Sequence, residues 1–107
     1  MTRVVNPPAI ELIGRRWTGA IISAMRDGAE RHGEIRAAIP GINDRVLVQR
    51  LVELEDNGII DRNVAASRPV RVTYRLTPKG EALAPVLDCV NAWAAAWPMR
   101  QVRESQK

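Results

Sequence analysis

Ile39-Pro40-Gly41-Ile42-Asn43-Asp44-Arg45-Val46-Leu47-Val48-Gln49-Arg50-Leu51-Val52-Glu53-Leu54-Glu55-Asp56-Asn57-Gly58 is the stretch on which the fold turns. Pro40-Gly41 breaks whatever helix precedes it. Asn43 can then cap a new helix, because its side chain accepts from the free amides of the first turn. Leu47, Leu51 and Leu54 recur at helical spacing and define one buried stripe. Asn57-Gly58 supplies a C-terminal stop. A short helix, a Gly-containing turn and a well-capped helix are the parts of a helix-turn-helix.

The flanks extend that reading in both directions. Residues 1–8 are expected to form a flexible arm, since Pro7 and Pro8 cannot continue a helix and Pro8 can only start one. Ala9, Ile10, Leu12 and Ile13 make a short apolar helix that stops at Gly14. A second helix starts near Trp17, carries Ala20, Ile21, Ala24 and Met25, and ends at Asp27-Gly28. The third runs from about Gly33 to Ile39, with Ile35, Ala38 and Ile39 inward. Beyond Gly58, Ile59–Val64 and Val70–Leu76 read as strands. The second alternates Val70, Val72, Tyr74 and Leu76 against Arg71, Thr73 and Arg75. Residues 65–69 form the hairpin tip. Thr77-Pro78 starts a long last helix, which Pro85 should kink and Pro98 should stop near Trp97. The expected fold is mostly α with a small two-stranded β wing (α+β): a winged helix-turn-helix over 9–97, followed by a polar tail over 98–107. The N- and C-terminal helices are free for dimerisation.

Bulk properties agree with one globular domain. The chain has 107 residues, 46% hydrophobic and 26% charged. No apolar run reaches the roughly 18 residues of a membrane span, and the N-terminus lacks a signal-peptide core. A cytoplasmic protein with no membrane partner is the expectation. Cys89 is the only cysteine and His32 the only histidine, so an intrachain disulfide is excluded. No metal site, no cofactor and no catalytic set is expected. Net charge is +4, nearly all the cations are arginine, and residues 62–75 hold Arg62, Arg68, Arg71 and Arg75 with no acid. That balance suits nucleic acid but does not require it.

Several fragments, in order, resemble the HxlR family of winged helix-turn-helix regulators within the wider MarR-like group. They are Glu11-Leu12-Ile13-Gly14 with Arg16-Trp17-Thr18; Asp27-Gly28 with Arg31, Glu34, Ile35 and Arg36; Pro40-Gly41-Ile42; and residues 45–51. Glu53-Leu54-Glu55 to Gly58-Ile59, Pro69 with Arg71, and residues 74–77 with Lys79-Gly80 complete the match over about residues 9–97. The resemblance implies a transcriptional regulator, more often a repressor than an activator. Three departures stand out. Where many members carry an N-terminal cysteine, which some use to sense oxidants or electrophiles, this chain has Val4. His32 replaces a frequent apolar aromatic, and Val48 a frequent small hydroxyl residue.

In a helix-turn-helix the first turns of the second helix enter the major groove. Arg can grip guanine there, Gln can grip adenine, and an apolar group can pack on the thymine methyl. Asn43, Arg45, Val48, Gln49 and Arg50 are the candidates, with Arg45 and Gln49 foremost. A solvated helix face is the bland alternative, and Arg50 has the further option of a structural ion pair with Glu53 or with the neighbours of Glu55. Arg68 and Arg71 at the wing would touch backbone or minor groove, unless they only protect an edge strand. Arg36, with Arg15, Arg16, Thr18 and His32, would meet phosphate near a helix start; His32 could equally be structural.

Val86, Val90, Trp93 and Trp97 form a heptad-like stripe. With Ile10 and Ile13 they are expected to build a homodimer interface rather than intrachain core. Cys89 beside them is expected to be buried and inert. The partners are therefore double-stranded operator DNA, a second copy of the chain, and room for a small-molecule effector of unknown identity between the second helix and the dimer helices. The alternative function is a winged-helix protein–protein interaction module that binds no specific DNA.

Overall fold

A computed structural model describes residues 7–100. Its elements are α1 (Pro7–Ile13), α2 (Thr18–Arg26), α3 (His32–Ala37), α4 (Asp44–Asp56), β1 (Ile60–Ala65), β2 (Arg71–Leu76) and α5 (Pro78–Ala96). Both Pro7 and Pro8 lie inside α1, so the expected arm ends sooner than residue 8. First-turn amides have no intrahelical acceptor, and a proline there loses nothing. Residues 1–6 and 101–107, including Val4 and most of the polar tail, lie outside the described residues.

The core is built around α2, which touches α1, α3, β2 and α5. Ile21, Ile22 and Met25 of α2 pack with Ile35, Ile39 and Ile42, with Leu47, Leu51 and Leu54 of α4, and with Ile59 and Ile60. Being central, α2 buries a broad face. Ile22 and Thr18 are inside, whereas Ala20, expected inward, is exposed. Ala38 is exposed as well, because α3 ends at Ala37 and the chain has already begun to turn.

The turn into α4 follows from Gly41. It has φ 93°, and the Ile42 amide reaches the Ile39 carbonyl at 3.4 Å, so Gly41 takes the position of a tight turn that demands positive φ. This places Ile39 and Ile42 in the core on either side of the turn. Asn43 then caps α4, its side-chain oxygen accepting from the Val46 amide at 2.9 Å.

The far end of α4 is locked by the start of α5. The Thr77 hydroxyl reaches the carbonyls of Gly58 and Ile59 and accepts from the Gly80 amide at 3.1 Å. Lys79 Nζ donates to the Asn57 carbonyl at 2.8 Å, placing a cation at the negative end of α4. Gly80 is required there: a Cβ would stand 2.2 Å from the Ile59 carbonyl oxygen. This joint fixes the wing relative to α4.

β1 and β2 pair antiparallel, Ile60 opposite Leu76 and Ala65 opposite Arg71. Ile60 anchors the hairpin in the core while the rest of β1 is exposed. Val70, expected inward, precedes β2 and is exposed, because the tip projects beyond any element that could cover it. The Arg68–Pro69 bond is cis, and Ser67 donates to the Pro69 carbonyl at 2.7 Å. α5 runs through Pro85 as one helix. Its first half packs on the core through Leu83, Ala84 and Leu87, and Asp88 pairs with Arg26 of α2 at 2.9 Å. Among the described residues no helix is long and apolar enough to cross a membrane.

Candidate nucleic-acid interface

The leucine stripe of α4 faces the core, which turns Arg45, Val48 and Gln49 outward, all three exposed. Arg45 and Gln49 lie one turn apart on one ridge. Val48 and Val52 form a parallel ridge and are 49% and 50% exposed. Val52 was not anticipated from the sequence, although its spacing from Val48 was there to be read. Glu55 and Asp56 close the C-terminal end of this face with negative charge. Asn43 is exposed beside it, but its side-chain oxygen is engaged in the cap. A shallow groove between α4 and the wing is lined by Val48, Val52, Glu55, Arg62 and Tyr74.

Ion pairing engages five of the described arginines and leaves the others, Arg16 and Arg31 among them, without an acid. Arg15 pairs with Glu53 at 3.4 Å, Arg26 with Asp88, Arg36 with Asp44 at 3.0 Å and Arg75 with Glu30 at 3.5 Å. Arg50 is held twice: its Nε donates to the Arg16 carbonyl at 3.0 Å and its Nη1 lies 3.4 Å from Glu53. Its guanidinium thus staples the α1–α2 loop to the back of α4, the ion-pair option rather than the groove. Arg45, Arg62, Arg68 and Arg71 have no acidic partner within ion-pair distance among the described residues. All four are exposed, on α4 or the wing.

The remaining phosphate candidates sort in the same way. Thr18 is only 1% exposed, and its hydroxyl is sealed in the core without a partner, so it is no phosphate contact. The sequence signal misled because a threonine near a helix start usually faces solvent as a cap. Here Trp17 takes that place with φ 79° and turns Thr18 inward. The Arg16 guanidinium lies 4.7 Å from the Trp17 ring centroid. His32 Nε2 lies 2.9 Å from Asp44. Asp44 therefore takes up both His32 and Arg36 at the start of α4.

Away from α4 and the wing in sequence, Ile10, Val86, Val90, Trp93 and Trp97 are exposed and Ile13 is half-buried. Trp93 and Trp97 are 56% and 69% exposed. Cys89, expected to be buried, is exposed on α5 beside them, because α5 has left the core by that point. An open cleft of about 440 Å³ separates α2 from α5, walled by Ile13, Ala20, Ile22, Leu87 and Val90, with the Arg26–Asp88 pair at its edge.

A family model of HxlR-like helix-turn-helix proteins matches residues 12–102. The HTH-type transcriptional regulator YvaP of Bacillus subtilis is 43% identical over 89 residues, 83% of this chain and 82% of that protein. The HTH-type transcriptional regulator YodB of the same organism is 46% identical over 86 residues, 80% of this chain and 77% of that protein. The solved reduced form of YodB superposes with a TM-score of 0.81 at 40% identity, covering 95% of this chain and all of that one. Diamide-treated and quinone-bound forms of YodB have also been solved, and match with TM-scores of 0.79 and 0.73.

Proposed function

The chain belongs to the HxlR-like helix-turn-helix family, is a DNA-binding transcriptional regulator and not an enzyme, and on that premise we propose that it is a homodimeric repressor reading operator DNA through α4. The observation that carries this reading is the division of the arginines. Arg45, Arg62, Arg68 and Arg71 stand exposed together on α4 and the wing with no acidic partner within ion-pair distance among the described residues, whereas Arg15, Arg26, Arg36, Arg50 and Arg75 are paired within the fold. Arg16 and Arg31, which also lack an acid, lie apart from this group in sequence.

In the proposed complex α4 enters the major groove N-terminal end first, led there by the Gly41 turn and the Asn43 cap. Arg45 takes a guanine edge, Gln49 an adenine edge and Val48 a thymine methyl. Arg68 and Arg71 hold the backbone or the adjacent minor groove. Arg36 reaches phosphate only by exchanging Asp44 for it, and Arg50 serves the fold. A second copy joins through the exposed α5 stripe and α1, so that two α4 helices read half-sites about one helical turn apart. An occupied operator is closed to other proteins, which is repression. A small-molecule effector would have the α2–α5 cleft available, where binding would shift α5 against α2. As a DNA-binding regulator the protein works in the cytoplasm.

The test is selection of bound fragments from genomic DNA, followed by titration of the selected duplex and a scrambled one. Arg45→Ala should lose roughly 1–3 kcal/mol on the selected duplex and much less on the scrambled one. Equal losses on both would reduce α4 to a cationic surface. Absence of salt-sensitive DNA binding would favour a protein–protein module instead.

A further inference from the structure

Val48 and Val52 are half-exposed at the middle of a helix whose leucines are buried in the core and whose remaining valine, Val46, is partly buried against it. Their presence has no explanation in stability. Valine is a weaker helix former than alanine or leucine because its branched Cβ loses rotamer freedom against the preceding turn. Half-burial returns only part of that loss. They are also not scattered, since a spacing of four sets them side by side as a single apolar ridge. Their surroundings define what the ridge faces. Arg45 and Gln49 run parallel to it on one side, and the groove wall with unpaired Arg62 runs along the other. An apolar protein partner would have to bury these unpaired cations; a polyanion with apolar groups in its groove would not.

We propose that Val48 and Val52 read the 5-methyl groups of two thymines in the major groove, making each operator half-site thymine-specific at two positions. The proposal rests on the groove reading of α4 and extends it to a residue that reading does not include. From Arg45 to Val52 the helix advances about 10 Å, roughly three base steps, so four side chains on two ridges span one half-site. Thymine is the only base whose major-groove edge carries a methyl group, and an alkyl side chain is its natural contact. Glu55 and Asp56 would repel phosphates just beyond Val52, which ends the reading face there.

The experiment uses the full chain and duplexes obtained by selection from a randomised pool. Two thymines should recur in each half-site. Replacing either by deoxyuridine removes only the methyl and should weaken binding about fourfold, the worth of one buried methyl. Val52→Ala should bind the thymine and deoxyuridine duplexes equally at one position, and Val48→Ala at the other, a pairwise coupling no general weakening can imitate. Both variants should melt no lower than the wild type, since alanine is the better helix former at an exposed site. Arg45→Ala is measured alongside. If methyl removal changes nothing while Arg45→Ala still discriminates operator from scrambled DNA, the thymine assignment is wrong and the groove reading survives. If Arg45→Ala weakens both duplexes equally, both fall together. Should either valine variant alter the oligomeric state while methyl removal has no effect, the ridge belongs to a protein contact and the proposal is overturned.

Discussion

Asp44 is the first residue of α4 and the meeting point of two basic side chains, His32 at 2.9 Å and Arg36 at 3.0 Å. A carboxylate only accepts, so His32 Nε2 carries the proton in this contact. The hydrogen bond from His32 holds the Asp44 carboxyl below its ordinary value of 3.8; desolvation opposes it, and the smaller attractions of the Arg36 and His32 charges add to it. A carboxyl depressed in the folded state contributes stability that is present above the unfolded value and lost as pH falls through the folded one. The melting temperature of the wild type should therefore exceed that of Asp44→Asn near neutral pH, and the margin should close as pH falls through and below the ordinary aspartate range. A margin that stays constant through the acid range would show that the ionised carboxylate contributes nothing.

Cys89 belongs to the same scale. It is exposed on α5, close to Val86, Val90 and Trp93 around the helix. YodB has been solved in diamide-treated and quinone-bound states, but this chain has no second thiol to form an intrachain disulfide. Mild peroxide is expected to leave operator binding intact in wild type and in Cys89→Ser alike. A loss that the serine variant abolishes would make the thiol a sensor.

Among the elements, α4 and the wing divide base reading from backbone attraction. Arg45 stands on a rigid, doubly capped helix, while Arg68 and Arg71 stand on a hairpin anchored only at its base by Ile60, Tyr74 and Leu76. If the wing touches phosphate, Arg68→Ala and Arg71→Ala should each weaken selected and scrambled duplexes by similar factors. Each should also flatten the logarithmic salt dependence by about one unit of slope. A salt slope equal to wild type in both variants would take the wing off the DNA. The elements themselves were legible because their signals are local. Asn43 and Thr77 cap where their short side chains say, Gly41 and Gly58 turn where only glycine is comfortable, and the leucine stripe is the buried face of α4. What was not legible depends on partners distant in sequence. The engagement of Arg50 by the Arg16 carbonyl, of Arg36 by Asp44, and the burial of Thr18 are tertiary facts with no local mark, whereas the Arg50–Glu53 pair, three residues apart on one helix, could be read. These facts decide which candidate arginines are available to DNA.

For the whole molecule the issue is how α5 is covered. The radius of gyration is 15.7 Å, against roughly 13 Å for a compact domain of about 100 residues. The excess is consistent with a last helix that packs on the core through Leu87 and then runs on with Val90, Trp93 and Trp97 toward water. Two tryptophans and two valines along some 16 Å of helix make an apolar patch that a soluble monomer rarely leaves open. A twofold partner would cover it with the same stripe, bringing Ile10 and Ile13 of α1 to the edge of the seam. Sedimentation at micromolar concentration should then give about twice the 11.9 kDa chain mass. Trp93→Glu, placing a charge in the middle of the stripe, should shift the mass to that of one chain while helicity persists, because the core cluster does not include Trp93. Operator affinity should fall steeply in that variant, since the second α4 would no longer be delivered at the effective concentration that a joined dimer provides. Affinity for scrambled DNA, which needs no paired half-sites, should fall much less. A wild-type protein that sediments as a clean monomer and still binds its operator tightly would refute the dimer, and with it the spacing of half-sites at one helical turn.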